Sequence, residues 1–572
     1  MDISIVQTCP AIAAGLAAVP REPEPRPVHR PGPAPRKPHM IRKPPVALLC
    51  CCLLYLTLLP TVAAADAAPP QVRIAQGVLR GGHQDGIDVF RGIPFAADTG
   101  GERRWHPPAA APAWKGVRDA TAAGPICPQS TQSRQGPPAP WLALFEMGED
   151  CLNLTVYRPA AGAGAGAGAG NRLPVMLWIH GGSARVGSGS RHGGMDLAGE
   201  GVIVVTPNYR LDRLGLFAHP QLAIEQPDAP LGNYALMDLL AALQWVQANI
   251  DRFGGDPGNV TLFGQSSGGV AVTALMASPL AKGLFHRAIA QSGVMADLDR
   301  SRMLARDLPG SPSLQSDGLA MAKALAPEAS GADVLPALRA LPWQTIIAYS
   351  EGLPPAVMIP VIDGRVLTGS TMRGFAAGDS VPVPFMVGSN SWEQSLYQAF
   401  KLPLPMALGG VPAEQARAIY PGLDDAALAA QWLVDAQFHA PARFMADASA
   451  THGQPTWVYR FDHVPEASPG QPGAAHSDEV PFLLEPVGLP GSAPRAGEEA
   501  RLANQLRAYW ASFARSGDPN HAGLPAWPAW QPGGQGATQV LDVQTRSEAG
   551  LRQPVMDLHQ ARFQHALQAT PP

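Results

Sequence analysis

Residues 261 to 269 read Thr-Leu-Phe-Gly-Gln-Ser-Ser-Gly-Gly, a hydrophobic strand end running into a Gly-x-Ser-x-Gly turn. Such a turn holds its serine on a sharp strand-to-helix elbow, so the Ser266 hydroxyl is a candidate nucleophile for acyl transfer. Glycine at 264 and 268 suits an elbow, because a side chain at either position would obstruct the close approach of strand and helix. With 60 glycines in 572 residues, the motif alone also fits a surface loop. Its meaning rests on the companions a serine nucleophile needs: a base, an acid that orients the base, and amide donors where the substrate oxygen becomes negative.

The chain supplies a candidate for each. Leu173 to Ile179 is an apolar run that opens into His180-Gly181-Gly182-Ser183, a turn with little side-chain bulk that can present backbone N–H groups. Pro384 to Gly388 reads as a buried strand, and Ser389-Asn390-Ser391-Trp392-Glu393 places a carboxylate just past its end. Gly473-Ala474-Ala475-His476 is a loop histidine ahead of an apolar stretch. The order Ser, Glu, His belongs to α/β-hydrolases and to neither the chymotrypsin nor the subtilisin arrangement. The expected fold class is therefore α/β, with a large central, mostly parallel sheet flanked by helices. His180 is a rival base, but it sits inside the glycine turn and reads as a packing residue. Asp478 and Glu479 are rival acids, but one or two residues beyond His476 they are poorly placed to grip its ring. A solvated or helix-starting role is expected for both.

At this point the chain resembles the type-B carboxylesterase and cholinesterase family. Arg91-Gly92-Ile93-Pro94-Phe95-Ala96 is similar to that family's early G-I-P-[YF]-A stretch, and Glu149-Asp150-Cys151-Leu152-Asn153-Leu154 to its E-D-C-L-x-L signature. Asn249 to Pro257 resembles the lead into the nucleophile strand, and Gly283-Leu284-Phe285 with Gln291-Ser292-Gly293 the piece after it. Residues 509 to 520 resemble the C-terminal helix and its exit, so the likeness spans roughly residues 72 to 545. It implies Ser266 as nucleophile, Glu393 as the acid of a G-x-N-x-x-E motif and His476 as base. It also implies oxyanion donors at the amides of Gly182, Ser183 and Ser267, with Gly181 in support, and long inserted loops forming an active-site gorge.

Departures from the family pattern bear on the substrate. Gln265 stands where the family usually has glutamate, which removes a negative charge beside the imidazole and weakens the case for a cationic substrate. Ala184 replaces the usual phenylalanine after the oxyanion turn, so the wall near the scissile bond is less bulky. Ser267 replaces alanine and leaves the backbone donor in place. Trp141 lies in the loop where cholinesterases keep a cation-binding tryptophan; an amphipathic rim residue is the plainer reading.

The N-terminus suggests where the protein works. Residues 1–39 are rich in proline and arginine and lack a periodic apolar face, as expected of a disordered or untranslated extension. Residues 40–65 have the charged start, apolar centre and small-residue end of a signal peptide, with translation from Met40 and cleavage after Ala65. The expected product is a secreted or periplasmic protein whose residues 66–572 form one catalytic domain. Export leaves Cys127 and Cys151 as an even pair, which suggests a disulfide over two free thiols. The family resemblance implies the same pairing.

Composition fits a globular enzyme: 46% hydrophobic, 15% charged and a net charge of −4. Basic residues do not outnumber acids, so no nucleic-acid partner is expected. Leu231 to Ile250 has the spacing of an amphipathic helix, Val202 to Val205 and Val260 to Phe263 read as buried strands, and the Ala/Gly run 161–170 reads as a surface linker. Proline- and glycine-rich text at 465–475 and 486–497 is expected to line the rim of the site. The expected substrate is a small-molecule or lipid-like ester, without a metal or other cofactor and without a membrane span in the mature chain. Amide- or thioester-directed hydrolysis on the same machinery remains an alternative, and a non-catalytic adhesion module a more remote one. Oligomeric state is not legible in the sequence.

Overall fold

A computed structural model describes residues 68–131, 139–160, 172–298, 301–353, 359–397, 403–487, 495–533 and 536–569. The N-terminal extension, the signal segment, the Ala/Gly run and residues 488–494 of the expected rim lie outside them.

The sheet that organises the chain has eleven strands. In chain order they are β1 (Gly82–Gln84), β2 (Ile87–Pro94), β3 (Asn153–Pro159), β4 (Leu173–Ile179), β5 (Ile203–Pro207), β6 (Gly255–Gln265), β7 (Arg287–Gln291), β8 (Phe385–Asn390), β9 (Thr456–Phe461), β10 (Ala537–Leu541) and β11 (Arg546–Ala549). Their spatial order is β11-β10-β9-β8-β7-β6-β4-β5-β3-β2-β1. From β10 across to β5 every pairing is parallel, and both margins are antiparallel.

Why these segments are central strands follows from their side chains. Each is apolar on both faces, as a parallel sheet covered on both sides requires. Alternation divides them between two cores: Val175, Leu177 and Ile179 of β4 join one with Val260 and Leu262 of β6 and Phe385 and Val387 of β8. Met176, Trp178, Phe263, Ile289 and Met386 face the other. Helix Tyr234–Asn249 packs in the first core, whereas Leu502, Leu506, Tyr509, Trp510 and Phe513 of helix Gly497–Ser516 fill the second.

The first of these helices departs from expectation. Instead of a broad polar face, Gln244 and Ala248 are its exposed positions, and Asp238 is fully buried. That carboxylate is tolerated inside because Arg210 grips both of its oxygens. Among the described residues no helix is long and apolar enough to cross a membrane.

Candidate active site

The parallel strands end on one edge, and the singled-out residues gather there. β6 stops at Gln265, Ser266 follows with φ 56° and ψ −125°, and helix Ser267–Met276 begins at once. A serine in the left-handed half of the map is strained, and its surroundings hold it there. Its N–H donates to Gln291 O at 2.8 Å on neighbouring β7. A Cβ at Gly268 would come within 2.0 Å of Ile179 O, and one at Gly264 within 2.7 Å of the Gly268 backbone. Glycine is needed at both positions because two strands and a helix start converge where no side chain fits.

The turn after β4 is also left-handed, at Gly182 (φ 113°), Ser183 (φ 59°) and Ala184 (φ 53°). Among the described residues, the amides of Gly182, Ser183 and Ser267 donate to no protein acceptor. Gly182 and Ser183 are half-buried and Ser267 is buried, so three amides without a protein partner stand beside one serine, the arrangement that binding an oxygen anion would need. Gly181 packs against the elbow, where a Cβ would come within 2.9 Å of Gln265 Oε1 and 3.0 Å of Ser266 Cβ. The Ser267 hydroxyl has a task that the sequence did not reveal: it accepts from Ala184 N at 3.0 Å and ties the glycine turn to the helix. His180 is buried, stacks on Tyr209 with centroids 4.4 Å apart, and is pushed by burial down to about 4, which leaves it neutral.

Glu393 follows β8, and the His476 loop is drawn beside it by main-chain contacts: Trp392 N donates to Ala474 O and His476 N to Ser395 Oγ. The result is a 2.5 Å contact between Glu393 Oε2 and His476 Nδ1. Asn390 N donates to the other carboxylate oxygen at 2.8 Å, and the Phe438 ring stands edge-on to the imidazole. Burial raises the Glu393 pKa, but the charge and hydrogen bond of His476 outweigh it, and the net shift is downward. Burial likewise lowers the His476 pKa, but Glu393 more than offsets it, helped by Glu479 and Asp478, and the net shift is upward. No hydrogen bond joins Ser266 Oγ to His476; the imidazole Nε2 instead has Gln265 Nε2 at 3.3 Å.

Two expectations are corrected. Glu479 is not solvated. It does stand at the start of a short helix, Val480–Leu483, but it is buried, with Asn390 Nδ2 donating to it at 2.7 Å and Gln291 Nε2 at 3.4 Å. Burial and then the charge of Glu393 push its pKa up to about 7. Its neighbour Asp478 turns inward to accept from Ala475 N at 2.8 Å, bracing the histidine loop. Trp141, expected at the rim, is buried, and one of its faces carries the Arg191 guanidinium at 5.1 Å from the ring centroid. The roles of Asn390 and Gln291 are not legible from their motifs alone; the G-x-N-x-x-E spacing is the one signal that points to Asn390. Cys127 and Cys151 are disulfide-bonded and close the loop that holds Trp141.

The sheet order, the serine elbow and the Glu393–His476 pair at the strand ends define an α/β-hydrolase. The model of the carboxylesterase family matches residues 68–409 and 425–562. The chain is 34% identical to fumonisin B1 esterase of Sphingopyxis macrogoltabida, with 84% of this chain and 88% of the relative covered. It is 33% identical to para-nitrobenzyl esterase of Bacillus subtilis (strain 168), with coverage of 79% and 91%. A solved structure of PNB esterase superposes with a TM-score of 0.71 at 29% identity, with coverage of 87% and 99%. The chain belongs to the carboxylesterase family, whose members named here hydrolyse esters.

Proposed function

We propose that the protein is an exported serine carboxylesterase that works through an acyl-enzyme. His476 takes the Ser266 proton as the hydroxyl attacks the ester carbonyl, and the amides of Gly182, Ser183 and Ser267 hold the oxyanion. The alcohol leaves with a proton returned by His476; water activated by the same imidazole then frees the acid. Glu393 keeps the imidazole proton on Nδ1 and stabilises the imidazolium. Gln265 must yield Nε2 to the serine hydroxyl, in keeping with catalytic hydrogen bonds that tighten only when substrate is bound.

The observation that carries this reading is the 2.5 Å contact between Glu393 and His476, made across 83 residues of chain at the edge where Ser266 stands on its elbow. Relatives named for fumonisin B1 and para-nitrobenzyl esters support a small-molecule or lipid-like ester as substrate. Residues 66–572 act as one catalytic domain after removal of the signal segment 40–65, and the Cys127–Cys151 bridge suits an oxidising compartment.

Labelling with a fluorophosphonate and mapping the adduct tests the mechanism: modification at Ser266 with loss of p-nitrophenyl ester hydrolysis is expected, and an adduct elsewhere overturns it. Intact-mass analysis of the exported protein is expected to show an N-terminus at Asp66. Retention of residues 1–65 would overturn export by this segment.

A further inference from the structure

The connection that carries the oxyanion turn continues through the short 3-10 helix Gly189–Arg191 into His192–Gly193. That pair is hydrogen-bonded to Glu485–Pro486, in the segment following the His476 loop. Arg191 stands at this junction, half-buried, with its guanidinium over the Trp141 ring. Among the described residues it has no ion pair and no side-chain hydrogen bond, and burial lowers its pKa with no carboxylate close enough to oppose it.

Several other enclosed arginines are matched with carboxylates. Arg104 is held by Glu149, Arg210 by Asp238, Arg339 by Glu225 and Arg552 by Asp435. Arg287 and Arg495 are also enclosed without an ion pair among the described residues, but Asp256 and Glu499 pull their pKa values up against burial, whereas no carboxylate does so for Arg191, whose charge reaches His180 at the head of the glycine turn. Its nearest titratable neighbours do not compensate, because burial, aided by the Arg191 charge, holds His180 neutral at about 4 and His192 at about 3. The link to Ser266 is short: His180 precedes Gly181, where an added Cβ would come within 3.0 Å of Ser266 Cβ.

Trp141 therefore cannot offer the face that Arg191 covers to a cationic substrate group. A guanidinium resting on a ring keeps its edge N–H donors, and that fork matches a carboxylate. The geometry points to an anion-binding subsite at Arg191, beside the oxyanion turn, that selects esters bearing a carboxylate in addition to the scissile bond. This rests on the esterase reading and deepens it by naming a substrate class.

The test compares three p-nitrophenyl esters of one length: the monoester of glutaric acid, its neutral methyl diester, and a trimethylammonio-butyrate. The wild-type protein is expected to favour the anionic ester over the neutral one by about 10-fold or more in kcat/KM and to disfavour the cationic one, the scale of one charged hydrogen-bond pair. In Arg191→Gln the anionic-to-neutral ratio is expected to fall by about 10- to 100-fold, mainly through KM, with Arg191→Lys in between. An unchanged ratio, or a wild-type preference for the cation, overturns the subsite. Where Arg191→Gln does not fold, inhibition of the wild type by glutarate but not by glutaramide supports the subsite, and equal potency overturns it. If wild-type protein cleaves none of the three and fluorophosphonate leaves Ser266 unmodified, the esterase reading fails instead.

Discussion

Gln265 Nε2 lies 3.3 Å from Nε2 of His476, the nitrogen that a serine-activating imidazole must keep as its lone pair. With Nδ1–H given to Glu393, the Gln265 amide donates into that lone pair and holds the ring in its working tautomer. Replacing it by Gln265→Glu sets an anion against the imidazole, beside Glu393, Glu479 and Asp478, which already raise its pKa. The acid limb of kcat/KM against pH is expected to move up by about one unit. A limb that stays or moves down counts against this contact.

In the proposed mechanism His476 acts as a neutral base, and its pKa is raised above 6.5, so activity is expected to fall as pH drops through a value above 6.5. Glu393→Gln removes the largest upward influence on that pKa. The limb is expected to shift to lower pH and the rate to fall by about 10⁴-fold, the scale for amidating a triad carboxylate. A pH–rate series on both proteins checks the two effects together.

Glu479 has a folded pKa of about 7 against an ordinary 4.5. The folded state binds this proton more tightly than the unfolded state, so the resulting stability is fully present below pH 4.5 and is lost as pH rises through about 7. The full loss amounts to about 3 kcal/mol, from a rise of roughly two and a half units. Glu479→Gln is expected to flatten this dependence, so urea midpoints at pH 5 and pH 8 should differ less than in the wild type. Parallel pH dependences would refute the buried-carboxyl assignment.

Cys127 and Cys151 are bridged over 24 residues. The double replacement Cys127→Ser with Cys151→Ser is expected to cost about 3 kcal/mol, mostly by freeing the unfolded chain. Denaturant unfolding of both proteins, with and without reductant, measures this; equal midpoints in oxidising buffer would show that the bridge contributes little.

Much of the site was readable because its signals are local. The elbow demands glycine at fixed offsets from Ser266, and the central strands announce themselves by continuous apolar runs. Helix Tyr234–Asn249 shows where such reading stops. Its leucines set the period, but the burial of Asp238 follows from Arg210, which spacing within the helix could not reveal.

Local sequence was enough to mark the serine elbow, the order of Ser266, Glu393 and His476, and the segments able to pair as a parallel sheet, because each depends on neighbours within a few residues. Only folding made Glu479 enclosed, brought Gln265 to the imidazole and laid Arg191 over Trp141 with no ion pair among the described residues. Those outcomes depend on partners scores or hundreds of residues apart, such as Gln291 and Asn390 meeting Glu479. The environment of a charge is set by what the folded chain packs against it and how much water is left, and local spacing carries neither.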